Sequence, residues 1–198
     1  MRIIKKFYLN EVNNIDSQNF GQFKMILKNN MKEYIMRESI KMKTNDYNFK
    51  FRVSGLIIKN NKLLLVDMDD SGFLCLPGGY VELGETTEEA VKRELNEEIR
   101  QDVRIEKYLG VVENYFINKY NKKMHEISFY YLMNFVNNDI GYDEFTLIEN
   151  DKGHKIKLDF KWVDINNLDN FDVRPAFLKR IINNKLEFNH LIFDELEK

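Results

Sequence analysis

Cysteine, proline and long apolar runs are scarce in this 198-residue chain, and each shortage excludes a class of protein. The single cysteine, Cys75, excludes an internal disulfide and is typical of a protein in a reducing compartment. No apolar stretch approaches the ~20 residues that a membrane-spanning helix needs. The basic N-terminus lacks the long apolar segment and the small-residue cleavage site of a signal peptide. These absences predict a cytoplasmic protein without a membrane partner.

An excess of charge of either sign is also missing. Lysine and arginine together number 30 against 32 aspartates and glutamates, so the formal net charge is −2. Because nothing in this balance attracts a polyanion, we expect no nucleic-acid partner. The hydrophobic share of 43% and the charged share of 31% are ordinary for a soluble globular protein, and the length suits one domain with an appendage.

Residues 1–48 differ in composition from the rest of the chain, being rich in asparagine, lysine and methionine. Their apolar residues recur at three- and four-residue steps, which predicts an amphipathic helix. The stripe consists of Phe20, Phe23, Ile26, Leu27, Met31, Tyr34 and Ile35. Such a stripe must be buried, either within the chain or in a homodimer, and both alternatives stay open. We therefore predict a helical N-terminal extension over 1–48 and a main domain over 49–198.

The main domain has the pattern of short strands interleaved with two helices. The predicted strands are 51–58, 62–66, 73–76, 108–116, 126–136, 145–149 and 155–163. One helix is predicted over 86–100, and another begins near Pro175, a residue suited to a first helical turn. The irregular alternation favours a mixed-sheet α/β sandwich over a regular series of strand–helix–strand units.

The residues best suited to catalysis or ligand binding lie in the segment from Leu76 to Glu98. The pair Gly78-Gly79 allows the backbone to approach a bulky anion or a metal ion closely. Thr86, with Glu89 three residues on, forms a capping box that sets the start of the helix. The sequence therefore predicts a tight glycine turn that leads into a helix of defined register.

Three glutamates on this helix are spaced so that they can project to one side: Glu94, Glu97 and Glu98. Clustered carboxylates repel one another unless a cation lies between them, and hard oxygen ligands suit Mg²⁺ or Mn²⁺. Such ions bind phosphate oxygens and neutralise the charge that develops as a phosphoanhydride breaks. The glutamates alone would favour a solvated acidic face; the glycine turn, capping box and apolar Leu95 in register favour a metal site. Arg93 lies four residues from both Glu89 and Glu97 and is predicted to bridge them.

This segment resembles the Nudix box, G-x5-E-x7-R-E-U-x-E-E-x-G-U, in which U is a bulky aliphatic residue. The matching residues are Gly79, Glu85, Arg93, Glu94, Leu95, Glu97 and Glu98. The resemblance extends over about residues 50–184 and implies the α+β mixed-sheet Nudix fold, an α/β/α sandwich. It also implies a Mg²⁺-dependent hydrolase that cleaves the pyrophosphate linkage of a nucleoside diphosphate joined to another moiety.

The resemblance also implies a role for each matching residue. Glu94 and Glu98 are expected to bind the metal, with Glu97 as a further ligand or as the residue that orients one. The carbonyl of Gly79 is expected to complete the metal site. Arg93 would hold the glutamates in place by ion pairing, with Glu85 in a supporting role, and either Glu94 or Glu97 could serve as general base.

Further site residues are sought outside the box, because many Nudix enzymes take their base from elsewhere. Glu113 interrupts an apolar strand, and the pair His125-Glu126 begins another. Each of them has a plain alternative as the solvent-facing position of its strand. Tyr80 is a candidate for contact with the nucleotide. The sequence does not select among nucleotide-type small-molecule substrates.

Two features of the sequence depart from a standard Nudix enzyme. The glycine that should close the box is Arg100 and the last aliphatic residue is Gln101, so the helix is expected to run on another turn toward Asp102, with Val103 or Ile105 as the apolar residue. The main alternative function is a non-catalytic Nudix domain that binds a nucleotide as a sensor or interaction module. Such domains usually lose box glutamates, which this chain keeps.

Overall fold

The computed structural model describes residues 38–137, 144–151, 154–183, 186 and 188–196. The chain divides into two compact units at Glu38/Ser39, and every described residue except Glu38 belongs to the second unit, Ser39–Lys198. The predicted amphipathic helix lies outside the described residues. The domain boundary at residue 48 and the homodimer therefore stay predictions.

Eight strands in the described part of the chain form one mixed sheet in the order β6-β7-β3-β2-β5-β4-β8, with β1 also paired to β2. The pairs β2–β5 and β4–β8 are parallel and the other pairs are antiparallel. The strands are β1 Lys41–Lys43, β2 Tyr47–Lys59, β3 Lys62–Met68, β4 Val103–Ile117, β5 Lys123–Phe135, β6 Phe145–Asp151, β7 His154–Asp164 and β8 His190–Asp194. The mixed sheet that the sequence predicts is confirmed.

Strand β2 is the element that joins the two parts of the sheet. Its residues 47–57 pair with β5, whereas Ile58 and Lys59 pair with β3. Asn60 and Asn61 have φ angles of 48° and 61° and form the tight turn between β2 and β3. Asparagine tolerates this left-handed conformation better than most residues, which is why the turn could be predicted from the sequence.

The two α-helices bury their apolar faces in different core clusters. Helix α1, Thr87–Ile99, packs with Ile57 of β2, whereas helix α2, Phe177–Asn183, packs with Leu56. Successive strand residues point to opposite faces of a sheet, so the two helices cover opposite faces of β2. A 3₁₀ helix, Ile165–Asn170, joins β7 to the segment before α2. This layering is the predicted α/β/α sandwich.

Helix α1 ends earlier than the sequence suggested. The prediction of another turn toward Asp102 is wrong: the helix ends at Ile99, and Arg100 adopts the left-handed conformation with φ 57° and ψ 35°. A side chain in that conformation costs about 1–2 kcal/mol. The Arg100 guanidinium donates a hydrogen bond of 3.2 Å to the Ile148 carbonyl of β6, which offsets part of the cost. Val103 is buried in the core, so its predicted apolar role is confirmed.

Two further elements differ from the sequence-based expectation. The predicted strand at 73–76 consists of isolated bridges, Val66 with Cys75 and Leu74 with Val173, because its neighbours offer only single pairing positions. Strand β8 was not predicted, since its five residues give too short an alternation to stand out. None of the helices in the described ranges is long and apolar enough to span a bilayer.

Candidate active site

The glycine turn lies along the edge of β2 opposite β5. The amide of Val53 donates to the Gly79 carbonyl and the amide of Gly55 donates to the Pro77 carbonyl, each at 3.0 Å. Gly78 has a φ of +144°, and a Cβ there would overlap the Val53 carbonyl oxygen. The first glycine is therefore required because the turn approaches the β2 backbone itself, more closely than any side chain permits.

Gly79 and Glu94 are packed directly against each other. A Cβ on Gly79 would overlap the Glu94 carboxyl group, so any other residue would displace that carboxylate from its position. Burial raises the pKa of Glu94, although the neighbouring Arg93 opposes this effect. The second glycine of the pair thus holds open the space in which a partly desolvated carboxylate lies beside a backbone carbonyl.

The other two box glutamates differ in exposure. Glu98 is 5% exposed and its Oε2 accepts a hydrogen bond of 2.8 Å from the Gly78 amide. The Glu97 side chain is 46% exposed. The structure therefore brings Glu94 and Glu98 to the glycine turn and leaves Glu97 at the rim.

The oxygen donors around the glycine turn are of the type that a hard divalent cation prefers. Glu94 and Glu98 supply carboxylate oxygens, and the Gly79 carbonyl has a second lone pair beyond the one used by the Val53 amide. Across the described ranges, no three His, Cys, Asp or Glu side chains already converge on one ion position. Glu97 is the most exposed of these three glutamates.

Arg93 connects the turn to the glutamates. Its side chain is 14% exposed and donates two hydrogen bonds to the Glu85 carboxylate, at 2.6 and 3.0 Å. It also donates to Glu94 at 2.8 Å, to Glu97 at 3.2 Å and to the Tyr80 carbonyl at 2.9 Å. A planar guanidinium with five donors can satisfy so many acceptors, whereas a lysine cannot. The predicted bridge from Arg93 to Glu97 is confirmed.

Two neighbours of Arg93 act at the start of α1. The predicted bridge from Arg93 to Glu89 is wrong, because Glu89 is engaged in the predicted capping box with Thr86. Glu85 accepts a hydrogen bond of 2.7 Å from the Glu82 amide in addition to its bonds with Arg93. Glu85 thereby ties the loop before the helix to Arg93, as its expected supporting role requires.

The sheet side of the turn holds Arg52, which the sequence analysis missed. Arg52 Nη2 donates to the Gly78 carbonyl at 3.1 Å, and Nη1 lies 3.9 Å from Glu126 Oε2. Glu126 comes from β5 and is 8% exposed. The signal that could have found Arg52 is the alternation of the cations Lys50 and Arg52 with apolar residues on β2.

The four predicted residues outside the box divide between two faces of the sheet. Tyr80 and Glu126 lie at the glycine turn, beside Arg52. Glu113 and His125 occupy the opposite face: Glu113 lies 2.7 Å from His190 Nε2, and the His125 ring stacks on Tyr115 at 4.5 Å between centroids. The structure therefore does not bring Glu113 or His125 together with the box.

Cys75 has the properties of a structural thiol. Burial raises its pKa to about 12, so the reactive thiolate is scarce at neutral pH. Its Sγ lies 3.6 Å from the Val66 carbonyl, within the bridge between β3 and the segment before the turn.

These features define an α+β sandwich in which a helix bearing glutamates meets a glycine turn on the sheet. The model of the NUDIX domain family matches residues 49–183, and the chain belongs to that family. Over 62 residues it is 47% identical to an ADP-ribose pyrophosphatase of Methanocaldococcus jannaschii. That match covers 30% of this chain and 37% of the relative, so the chain spans little more than a third of the length of that protein.

Solved structures share the fold at lower identity. A UDP-X diphosphatase is 16% identical with a TM-score of 0.50, over 96% of this chain and 82% of that one. An ADP-ribose pyrophosphatase from Streptococcus suis 89-1591 is also 16% identical, with a TM-score of 0.47 over 73% of this chain and 98% of that one.

Proposed function

We propose that this chain is a hydrolase that cleaves the pyrophosphate linkage of a nucleoside diphosphate joined to another moiety, using Mg²⁺ or, in its place, Mn²⁺. The observation that carries the proposal is the packing of Glu94 on Gly79, with Glu98 bonded to the adjacent Gly78 amide. The same turn presents the Gly79 carbonyl, which has a lone pair beyond the one that accepts from the Val53 amide. This is a suitable donor set for a hard cation that binds phosphate oxygens.

Some residues of the site would bind the cation, and Arg93 would position the carboxylates that bind it. Glu94, Glu98 and the Gly79 carbonyl would hold the cation, with Glu97 joining from the rim. When bound, the cation would neutralise charge on the phosphate oxygens and favour loss of a proton from water. Arg93 fixes the Glu94 carboxylate by a hydrogen bond, so the position of Glu94 does not have to be reorganised during the reaction, and it also donates to Glu97 at the rim.

The proton of the attacking water needs an acceptor near the turn. Glu94 and Glu97 are the box residues that can take it, and Glu126 is the carboxylate outside the box that lies nearest to the turn through Arg52. Glu113 and His125 contact His190 and Tyr115 rather than the turn, which makes them poorer candidates. The bases proposed here are therefore Glu94, Glu97 and Glu126.

The substrate proposal begins from the relative that is 47% identical over 62 residues. The Methanocaldococcus jannaschii protein is named an ADP-ribose pyrophosphatase, so ADP-ribose is the first compound to test. We propose the broader class of nucleoside diphosphate derivatives for this chain, acting in the cytoplasm.

A substrate screen tests this function directly. The full chain is incubated with Mg²⁺ and ADP-ribose, nucleotide sugars, dinucleoside polyphosphates or nucleoside triphosphates, and phosphate release is measured after coupling to a phosphatase. We expect turnover of at least one compound, supported by Mn²⁺ and lost in EDTA. Tight binding of one nucleotide with no turnover of any compound would instead identify a sensor or interaction module and overturn the hydrolase proposal.

A further inference from the structure

Three cations surround the ring of Tyr80 next to the glycine turn. Lys41 Nζ lies 5.0 Å from the ring centroid, Lys50 Nζ lies 5.8 Å from it, and Arg52 Cζ also lies 5.8 Å from it. Lys41 and Lys50 are directly opposite each other in the β1–β2 pair, and Arg52 follows two residues later on β2. We call Lys41, Lys50 and Arg52 the Tyr80 cation cluster.

The cluster contains more positive charge than its surroundings balance. Like charges placed directly opposite each other on paired strands repel. Glu126 lies 3.9 Å from Arg52, but neither lysine ammonium group has a hydrogen bond or an ion pair within the described ranges. Burial and the nearby Arg52 lower the pKa of Lys50, and Glu126 opposes this effect. An anion bound between the two lysines would remove this cost.

The cluster is continuous with the proposed catalytic site. Arg52 donates to the Gly78 carbonyl, and the amide of the same Gly78 donates to Glu98. The Tyr80 carbonyl accepts from Arg93, whose other donors hold Glu94 and Glu97. A phosphate held by the cluster would therefore lie beside the carboxylates that are proposed to bind the cation.

One cation of the cluster comes from outside the family match. The NUDIX domain match begins at residue 49, whereas Lys41 lies on β1, which pairs with β2 through Lys41–Lys43. The added strand brings Lys41 over the Tyr80 ring. The cluster is thus a feature of this chain that the box residues alone do not include.

We propose that the Tyr80 cation cluster is an anion subsite that binds a phosphoryl group of the substrate next to the linkage that is cleaved. The assignment rests on the proposed function for the identity of the substrate. It gives Tyr80 a different role from contact with a nucleotide base, because cations already lie within 6 Å of its ring and use the negative face of the π-system. Tyr80 orients the two lysines, and the lysines bind the phosphate.

The test is calorimetric binding of inorganic pyrophosphate to the full chain in EDTA, which needs neither metal nor turnover. We expect the unaltered chain to bind, and Lys41→Ala and Lys50→Ala each to bind about tenfold more weakly, as for loss of a hydrogen bond between charged groups. Lys123→Ala is the matched control, because Lys123 Nζ lies 5.6 Å from the ring of Tyr47, which points to the other face of β2. Tyr80→Phe should keep the affinity and Tyr80→Leu should reduce it. Circular dichroism of every variant verifies the fold.

Several outcomes would overturn the subsite. They are no binding by the unaltered chain, equal binding by all variants, or an equal loss in Lys123→Ala, which would indicate a general charge effect. Inorganic phosphate, titrated in parallel, distinguishes a site for a free anion from one that requires a diphosphate.

If pyrophosphate binding depends on Lys41 and Lys50 but no compound is hydrolysed, the subsite stands and the hydrolase proposal fails. If both hold, the lysine variants raise KM about tenfold and leave kcat unchanged.

Discussion

Two arginines hold the turn from opposite sides, and their surroundings are opposite in charge. Arg93, on α1, donates to the carboxylates of Glu85, Glu94 and Glu97 as well as to the Tyr80 carbonyl. Arg52, on β2, donates to the Gly78 carbonyl and has one carboxylate, Glu126, at 3.9 Å. The helix side is therefore rich in carboxylates, whereas the sheet side has a surplus of cations in the described structure.

The difference suits a ligand that combines both charges. A cation bound at the carboxylates would relieve the repulsion on the helix side, and a phosphate at the lysines would relieve it on the sheet side. Because both groups adjoin the glycine turn, we expect both ligands to be parts of one metal-bound diphosphate. Substitutions that alter one side of the turn and leave the other intact test this difference in charge between the helix side and the sheet side.

The largest expected effect follows from Glu98→Gln on the helix side. The amide oxygen of glutamine can still accept from the Gly78 amide, so the fold should be kept while the negative charge is lost. We expect kcat to fall about 10³-fold, as for removal of a ligand that positions a catalytic cation. Steady-state kinetics with Mg²⁺ measure this, and the exposed Glu88→Gln on the same helix is the control. Full activity of Glu98→Gln would exclude the helix side as the catalytic one.

A smaller effect is expected from Arg93→Lys, which keeps the charge but not the planar set of donors. Lysine cannot bond Glu85 with two parallel hydrogen bonds while also reaching the Tyr80 carbonyl. We expect kcat to fall about 10²-fold through misplacement of the carboxylates, with a loss of about 2 kcal/mol in unfolding free energy. Kinetics and urea denaturation measure the two quantities. The exposed Arg104→Lys should change neither, and an unchanged kcat in Arg93→Lys would show that the carboxylates position themselves.

The smallest effect is expected at the far end of the helix, with Arg100→Gly. Glycine adopts the left-handed conformation without strain, whereas the variant loses the bond to the Ile148 carbonyl. We expect the unfolding free energy to rise by about 0.5–1 kcal/mol, with kcat unchanged. Denaturant titration measures the change. A loss of stability would show that the link from Arg100 to β6 outweighs the backbone strain.

The helix side was predictable from the sequence because its geometry is local. Within one helix, the positions of Arg93, Glu94 and Glu98 follow from 3.6 residues per turn, and the capping box fixes the first residue. The end of the helix was not predictable from local rules. Arg100 has the wrong chemistry for the left-handed position, and its compensating bond to Ile148 is made across the tertiary structure.

The sheet side could not be predicted, because it depends on strand register. Lys41, Lys50 and Tyr80 come together only because β1 and the turn pair with the same edge of β2, the edge opposite β5. Alternation showed that His125 and Glu126 point to opposite faces, but it could not say which face meets the box. The register of β2 with β5 places Glu126, and not His125, on the same face as Arg52, and no single strand contains that information.

The pairing of the turn with β2 has a practical consequence for observing ligands. The amide protons of Val53 and Gly55 are donated to the Gly79 and Pro77 carbonyls, so each belongs both to the sheet and to the site. A cation on the second lone pair of the Gly79 carbonyl would polarise that carbonyl and so change the environment of the Val53 amide proton. The backbone amide resonances of these two residues therefore act as internal spectroscopic probes of occupancy, without any label on the ligand.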